Sequence, residues 1–169
     1  MCVHSIKATG PLVEKDIGGI FKTSIIKRLN AAGQIMVGET KRHTPVNIGT
    51  LRGSIAATGA RWTGGNVFEN RVSTPQRYGI VIEFGRKAPG PMPPIGPLEL
   101  WVRRKGKRLG FPQDNTRRMA FLIARKIARR GFRDKYGYKM FFNAMVNKRH
   151  DVTRLIGEDV IVEIAAKLN

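Results

Sequence analysis

From Asp16 to Arg42 the chain reads DIGGIFKTSIIKRLNAAGQIMVGETKR, with Ile17, Ile20, Phe21, Ile25, Leu29, Ala32, Ile35 and Met36 at steps of three and four. That spacing gathers the apolar side chains on one face and predicts a long amphipathic α-helix. The glycines at 18, 19, 33 and 38 each cost up to about 1 kcal/mol relative to alanine, so bending or close packing is expected rather than a straight rod. The helix must stop at His43-Thr44-Pro45, because the residue before a proline is pushed out of the helical region.

Outward from that helix come three extended candidates. Ser54 to Trp62 (SIAATGARW) and Asn66 to Thr74 (NVFENRVST) flank Thr63-Gly64-Gly65, which reads as a hairpin turn. Tyr78 to Phe84 alternates, with Tyr78, Ile80, Ile82 and Phe84 on one face and Gly79, Val81 and Glu83 on the other; this predicts a strand whose apolar face covers the first helix. Gly85 to Pro97 (GRKAPGPMPPIGP) holds five of the nine prolines and three glycines, so it is neither helix nor central strand. Its stiffness suits a docking arm built on Arg86, Lys87, Pro89, Pro91, Met92, Pro93 and Pro94; a passive crossover is the plainer alternative.

Beyond the loop, Pro97 to Lys105 predicts a short helix with proline in its first turn. Asp114, Asn115 or Thr116 caps a helix running to Arg130 and closed by Gly131. At ~100° per residue, Ala120, Ile123, Ala124 and Ile127 gather on one side of it, and Arg118, Arg125 and Arg129 gather opposite with Lys126 beside them. Lys139 to Lys148 and Val152 to Leu168 predict two further helices.

Length and charge bound what such a chain does. Its 169 residues fit one domain with 41% hydrophobic composition, enough to form a core without staples. Cys2 is the one cysteine, and His4, His43 and His150 stand far apart, so neither an internal disulfide nor a structural zinc is expected. The apolar runs are too short for a membrane span and the N-terminus lacks a leader's apolar core, so the expectation is a soluble, cytoplasmically made protein with no membrane partner. Thirty-one Lys and Arg against twelve Asp and Glu give a net charge of +19, which asks for a polyanionic partner, nucleic acid or acidic protein. More than half of the excess lies between Trp101 and Lys135, where thirteen basic residues face only Asp114 and Asp134. From His150 to the end the balance reverses mildly, through Asp151, Glu158, Asp159 and Glu163.

Chemistry finds little support. No nucleophile with a base, paired carboxylates or metal-ligand cluster appears at recognisable spacing, so no catalytic, cofactor or metal residue is expected. His43, at a helix end, reads as a hydrogen-bonding group. Glu83 in an apolar segment needs a cationic partner, with Arg52 and Arg61 as candidates. The basic window lacks interleaved aromatics, so contact with DNA would be to phosphates and without sequence preference.

Three segments, in order, carry a resemblance. Lys41 to Ile55 (KRHTPVNIGTLRGSI), Tyr78 to Gly85 (YGIVIEFG) with Trp101 to Gly106 (WVRRKG), and Ala120 to Gly131 (AFLIARKIARRG) resemble the tail completion, or head-tail joining, proteins of tailed-phage necks. The matching positions Pro45, Gly49, Leu51, Ser54, Tyr78, Glu83, Gly85 and Trp101 read as builders of the fold. The resemblance implies an α+β subunit: a small antiparallel β-sheet packed against a long N-terminal helix, with further helices in the C-terminal half. It also implies a homo-oligomeric ring, typically a hexamer, that caps the tail tube and joins it to the head-side adaptor of the connector, with genomic DNA in the lumen. On this reading residues 1–14 are an irregular arm, 15–149 the tail-completion-like domain and 150–169 its C-terminal helix. The expected protein is a non-enzymatic virion component of the neck, assembled in the host cytoplasm, whose Arg118, Arg125, Lys126 and Arg129 face meets acidic protein or lumenal DNA. The alternative is a cytoplasmic accessory protein that binds nucleic acid without sequence preference.

Overall fold

The computed structural model describes residues 3–8, 19–65, 67–112, 114–132 and 137–168. Cys2, Asp16, Ile17, Asn66 and the basic Arg133 and Lys135 lie outside the described residues, as do the side chains of Ile20 and Phe21. In chain order the elements are β1 (Val3–Ala8), α1 (Gly19–His43), α2 (Thr50–Ser54), β2 (Ala56–Ala57), β3 (Arg61–Gly64), β4 (Val67–Ser73), α3 (Gly79–Phe84), α4 (Ile95–Lys105), a 3₁₀ turn (Lys107–Leu109), α5 (Thr116–Arg130) and α6 (Met140–Leu168). They form two compact units, one of residues 1–80 with 139–169 and one of residues 81–138.

In the first unit β4 is the central strand of an antiparallel sheet. β1 pairs along one edge, from Val3 opposite Ser73 to Ala8 opposite Phe68. The other edge is shared by β2, with Ala56 opposite Ser73, and β3, with Trp62 opposite Phe68. The fold class is α+β, a small antiparallel sheet with a long N-terminal helix and further helices after it.

The apolar face expected of α1 is the face that is buried: Ile25, Leu29, Ala32 and Met36 are in the core, joined by Val37, while Ile35 is 36% exposed at the rim. The core is completed by Leu51, Ile55, Phe68 and Val72 and by Met140, Phe141, Ala144 and Val152 of α6. Each fully buried large side chain, such as Leu29, Ile55 or Phe141, contributes about 1.5–3 kcal/mol relative to exposure. The two long helices pack antiparallel, since Thr44 Oγ1 meets Met140 Sδ at 3.4 Å and Glu39 meets Asn147 at 3.2 Å. One glycine expected to mark close packing does so: Gly33 lies where α1 crosses the sheet, with Asn70 of β4 against it.

Four expectations are corrected. Tyr78 to Phe84 is not a strand; α3 occupies Gly79–Phe84. Both edges of β4 are already taken, and the Thr74 hydroxyl accepts from the Gln76 amide (3.2 Å) while Gly79 N–H donates to the Gln76 carbonyl (2.9 Å), winding the chain into a helical turn. Seven alternating residues do not by themselves determine period two, because a short apolar run suits strand and helix alike. Ser54 to Trp62 is also not one strand. Gly49, with φ of 86°, starts the α2 turn that Ser54 closes onto the Leu51 carbonyl at 2.9 Å, and only Ala56–Ala57 and Arg61–Gly64 pair. Val3 to Ala8, read as irregular, is β1; its sequence has no clean alternation, and pairing with β4 fixes it. Finally, the two C-terminal helices are one. The junction around Arg149 contains no proline or glycine, and Lys148 Nζ pairs with Asp151 across it at 2.9 Å.

In the second unit α4 and α5 pack together. Val102 of α4 and Ala120 and Ala124 of α5 are fully buried, the alanines permitting close approach. Trp101 packs on Phe111 with ring centroids 6.3 Å apart. No helix among the described residues is long and apolar enough to cross a membrane.

Candidate functional site

The basic helix forms where its end signals require. Asn115 is the N-cap, its side-chain oxygen accepting from the Arg118 amide at 3.2 Å, and Gly131, at φ 74°, closes the last turn by donating to the Ile127 carbonyl at 2.9 Å. With Ala120 and Ala124 turned inward, Arg118, Arg125, Lys126 and Arg129 are all exposed, as the helical projection predicts. None of the four forms an ion pair among the described residues. Sequence reasoning missed two members of this face: Phe121 and Leu122 are 40% and 38% exposed beside the cations, and the Arg125 guanidinium lies 5.9 Å from the Phe121 ring centroid. The signal was present, since Leu122 falls four residues after Arg118 and three before Arg125.

The proline-rich loop is tied to the same helix. Gly85 adopts φ of 77° and donates to the Val81 carbonyl at 2.9 Å, ending α3. Arg86 and Phe132 then exchange backbone bonds in both directions, at 2.7 and 2.9 Å, and Gly90 N–H donates to the Ala128 carbonyl of α5 at 2.9 Å. The Arg86 guanidinium also donates to the Pro91 carbonyl. With its base clamped, the loop exposes Lys87, Pro89, Pro91, Met92 and Pro94, while Arg86 and Pro93 are half-buried. The structure therefore brings the loop and the α5 face, separate in sequence, into one region of the second unit.

The eight motif positions divide between structural roles. Pro45 follows the end of α1, Leu51 is buried, and the Ser54 hydroxyl bonds that of Thr74 at 2.7 Å. Tyr78 is 45% exposed, Glu83 is buried, and Trp101 is half-buried. Of the two arginines suggested for Glu83, Arg61 stands instead 4.0 Å from Glu69, a carboxylate that sequence reasoning passed over. Arg71, donating at 2.8 Å, holds the Glu69 carboxyl below the usual range, with Arg61 and Lys7 adding to the effect against burial.

A second polar cluster joins α1 to α6. Glu39 Oε1 accepts from Asn147 Nδ2 at 3.2 Å and meets His43 Nε2 at 3.2 Å, so His43 has the hydrogen-bonding role expected of it. The Asn147 bond, with smaller contributions from His43 and Arg42, keeps the Glu39 carboxyl below its ordinary value despite burial. The spacing of Glu39 and His43 was legible; Asn147, remote in sequence, was not. This is an interhelical lock. No group of three or more His, Cys, Asp or Glu among the described residues could hold a metal ion. A shallow hollow of about 300 Å³ on α6, lined by His150, Thr153, Arg154, Gly157, Glu158 and Ile161, does not set a nucleophile beside a base.

Residues 13–85 match the HK97-gp10-like family, described as "Bacteriophage HK97-gp10, putative tail-component". The match covers β2, β3 and β4 with all of α1, α2 and α3, and ends on Gly85 at the head of the loop. No curated protein and no solved structure matches the chain.

Proposed function

From the premise that residues 13–85 are those of an HK97-gp10-like phage tail component, we propose that this chain is a structural virion protein that forms a ring at the neck and joins the tail tube to the head-side adaptor. The family match carries the reading. It is supported by a second unit that sets a clamped, proline-rich loop and an unpaired basic helix face side by side. The loop is the contact with a neighbouring subunit or ring; repeated head-to-tail contacts must close to avoid growing into a fibre, and the hexamer is the closed form that the resemblance implies.

Light scattering together with electron microscopy tests the assembly. A ring is expected once tail tube is added; a monomer or dimer that never closes, with or without the tube, overturns the reading. Deleting Pro91 to Pro94 tests the loop: the subunit should stay folded while heads and tails fail to join. Undiminished joining by that variant removes the loop's role.

A further inference from the structure

We propose that the exposed face of α5 is a docking site for an acidic protein of the same virion, one presenting an apolar hollow rimmed by carboxylates. The proposal rests on the neck reading for the partner's location and adds the partner's chemistry.

Three observations select this occupant. First, the face needs negative charge: Arg118, Arg125, Lys126 and Arg129 are exposed with no ion-pair partner among the described residues. Second, it needs apolar surface. Leu122 sits within the cations, four residues from Arg118 and Lys126 and three from Arg125, and Phe121 is beside it with the Arg125 guanidinium over its ring. A phosphate backbone covers charge but offers these two side chains nothing, whereas exposed phenylalanine flanked by arginine is the composition of protein interface centres. Third, the described side chains of a second copy offer no matching acidic patch. Among the described residues Glu39, Glu69 and Glu83 are buried, Glu99 pairs with Arg103 at 2.7 Å and Asp151 with Lys148 at 2.9 Å. Asp114 and Glu158 are the carboxylates left exposed and unpaired among the described side chains, to which those of Asp159 and Glu163 do not belong, and the two do not share an element. No described acidic patch on this chain matches four cations.

The test uses heads and tails from a phage lacking this protein, supplied with purified chain, and counts joined particles by electron microscopy. Two variants are compared with wild type: Phe121→Gln with Leu122→Gln, and Arg118→Gln with Arg125→Gln and Arg129→Gln. Circular dichroism checks that both variants keep wild-type helicity; the arginine variant should keep the melting temperature, whereas replacing Phe121 and Leu122, 40% and 38% exposed, should lower it by a few degrees. Each variant is expected to lower joining at least tenfold, and to weaken binding to the purified head-side adaptor or tail-tube protein at least tenfold. Unchanged joining and binding by the Phe121/Leu122 variant overturns the proposal. If only the arginine variant fails, and it lowers the salt slope for a random-sequence 30-base-pair duplex by about 3, DNA is the ligand and the proposal is overturned. A wild-type chain that restores no joining sinks the neck reading instead; the docking proposal then stands or falls on binding to the two purified proteins, and binding to neither overturns it.

Discussion

Gly33 of α1 lies so close to Asn70 of β4 that a Cβ built on it would overlap the Asn70 amide nitrogen and stand 3.1 Å from Cγ. Asn70 is fully buried, and that nitrogen donates to the Leu29 carbonyl at 3.1 Å, so the contact joins the helix backbone to the central strand. Alanine at 33 gains about 1 kcal/mol of helix propensity but displaces a buried amide worth about 1–3 kcal/mol. Gly33→Ala should therefore lower stability by up to about 2 kcal/mol. Gly38→Ala, exposed and with nothing within 4 Å of the new Cβ, should raise it by up to about 1 kcal/mol. Chemical denaturation of the pair reads both signs; a stabilised Gly33→Ala would refute the contact.

Acid should unfold the first unit partly through Glu39. Its carboxyl titrates below the ordinary value because Asn147 donates to it, so the bonded carboxylate stabilises the fold above the unfolded-state pKa of about 4.3. That contribution is lost as pH falls through the lowered folded-state value. Glu39→Gln should cost about 1 kcal/mol at pH 7 and flatten the acid limb of a plot of melting temperature against pH. Glu69, held down by Arg71, leaves a residual slope. An acid limb as steep as that of wild type would show that Glu39 is not a source of it.

The start of α5 depends on one side chain. Asn115→Ala removes the cap on the Arg118 amide and should cost about 1 kcal/mol, with faster hydrogen exchange over residues 116–119. Asn115→Asp should restore protection, because a carboxylate caps as well and complements the helix dipole. Equal exchange in all three proteins would mean that packing of Ala120 and Ala124 alone holds the helix.

Arg86 separates folding from loop shape. Its backbone bonds to Phe132 survive Arg86→Ala, whereas the guanidinium contact to the Pro91 carbonyl does not. Global stability should change by less than about 1 kcal/mol, as for most exposed polar contacts. Trypsin should cut after exposed Lys87 several-fold faster than in wild type, as followed by mass spectrometry. An unchanged cutting rate would mean that the prolines alone shape the loop.

How much of the site was legible depended on how local its signals were. The cap at Asn115, the inward Ala120 and Ala124, the outward arginines and the stop at Gly131 follow from neighbours along one helix, and all were readable. The clamp between Arg86 and Phe132, the Gly90 bond to Ala128 and the Asn147 bond to Glu39 join residues far apart in sequence, and no periodicity encodes them.

By itself the sequence determined α1 as a one-faced helix ended by Pro45, the hairpin of β3 and β4, and α5 with its basic side, because apolar period, proline and glycine act within a turn or two of chain. Only the tertiary structure decided that Val3–Ala8 pairs with β4 and that Tyr78 to Phe84 coils into a helix. A strand's fate is settled by whether an edge with free hydrogen-bonding groups is there to receive it, and that edge is built by residues elsewhere in the chain.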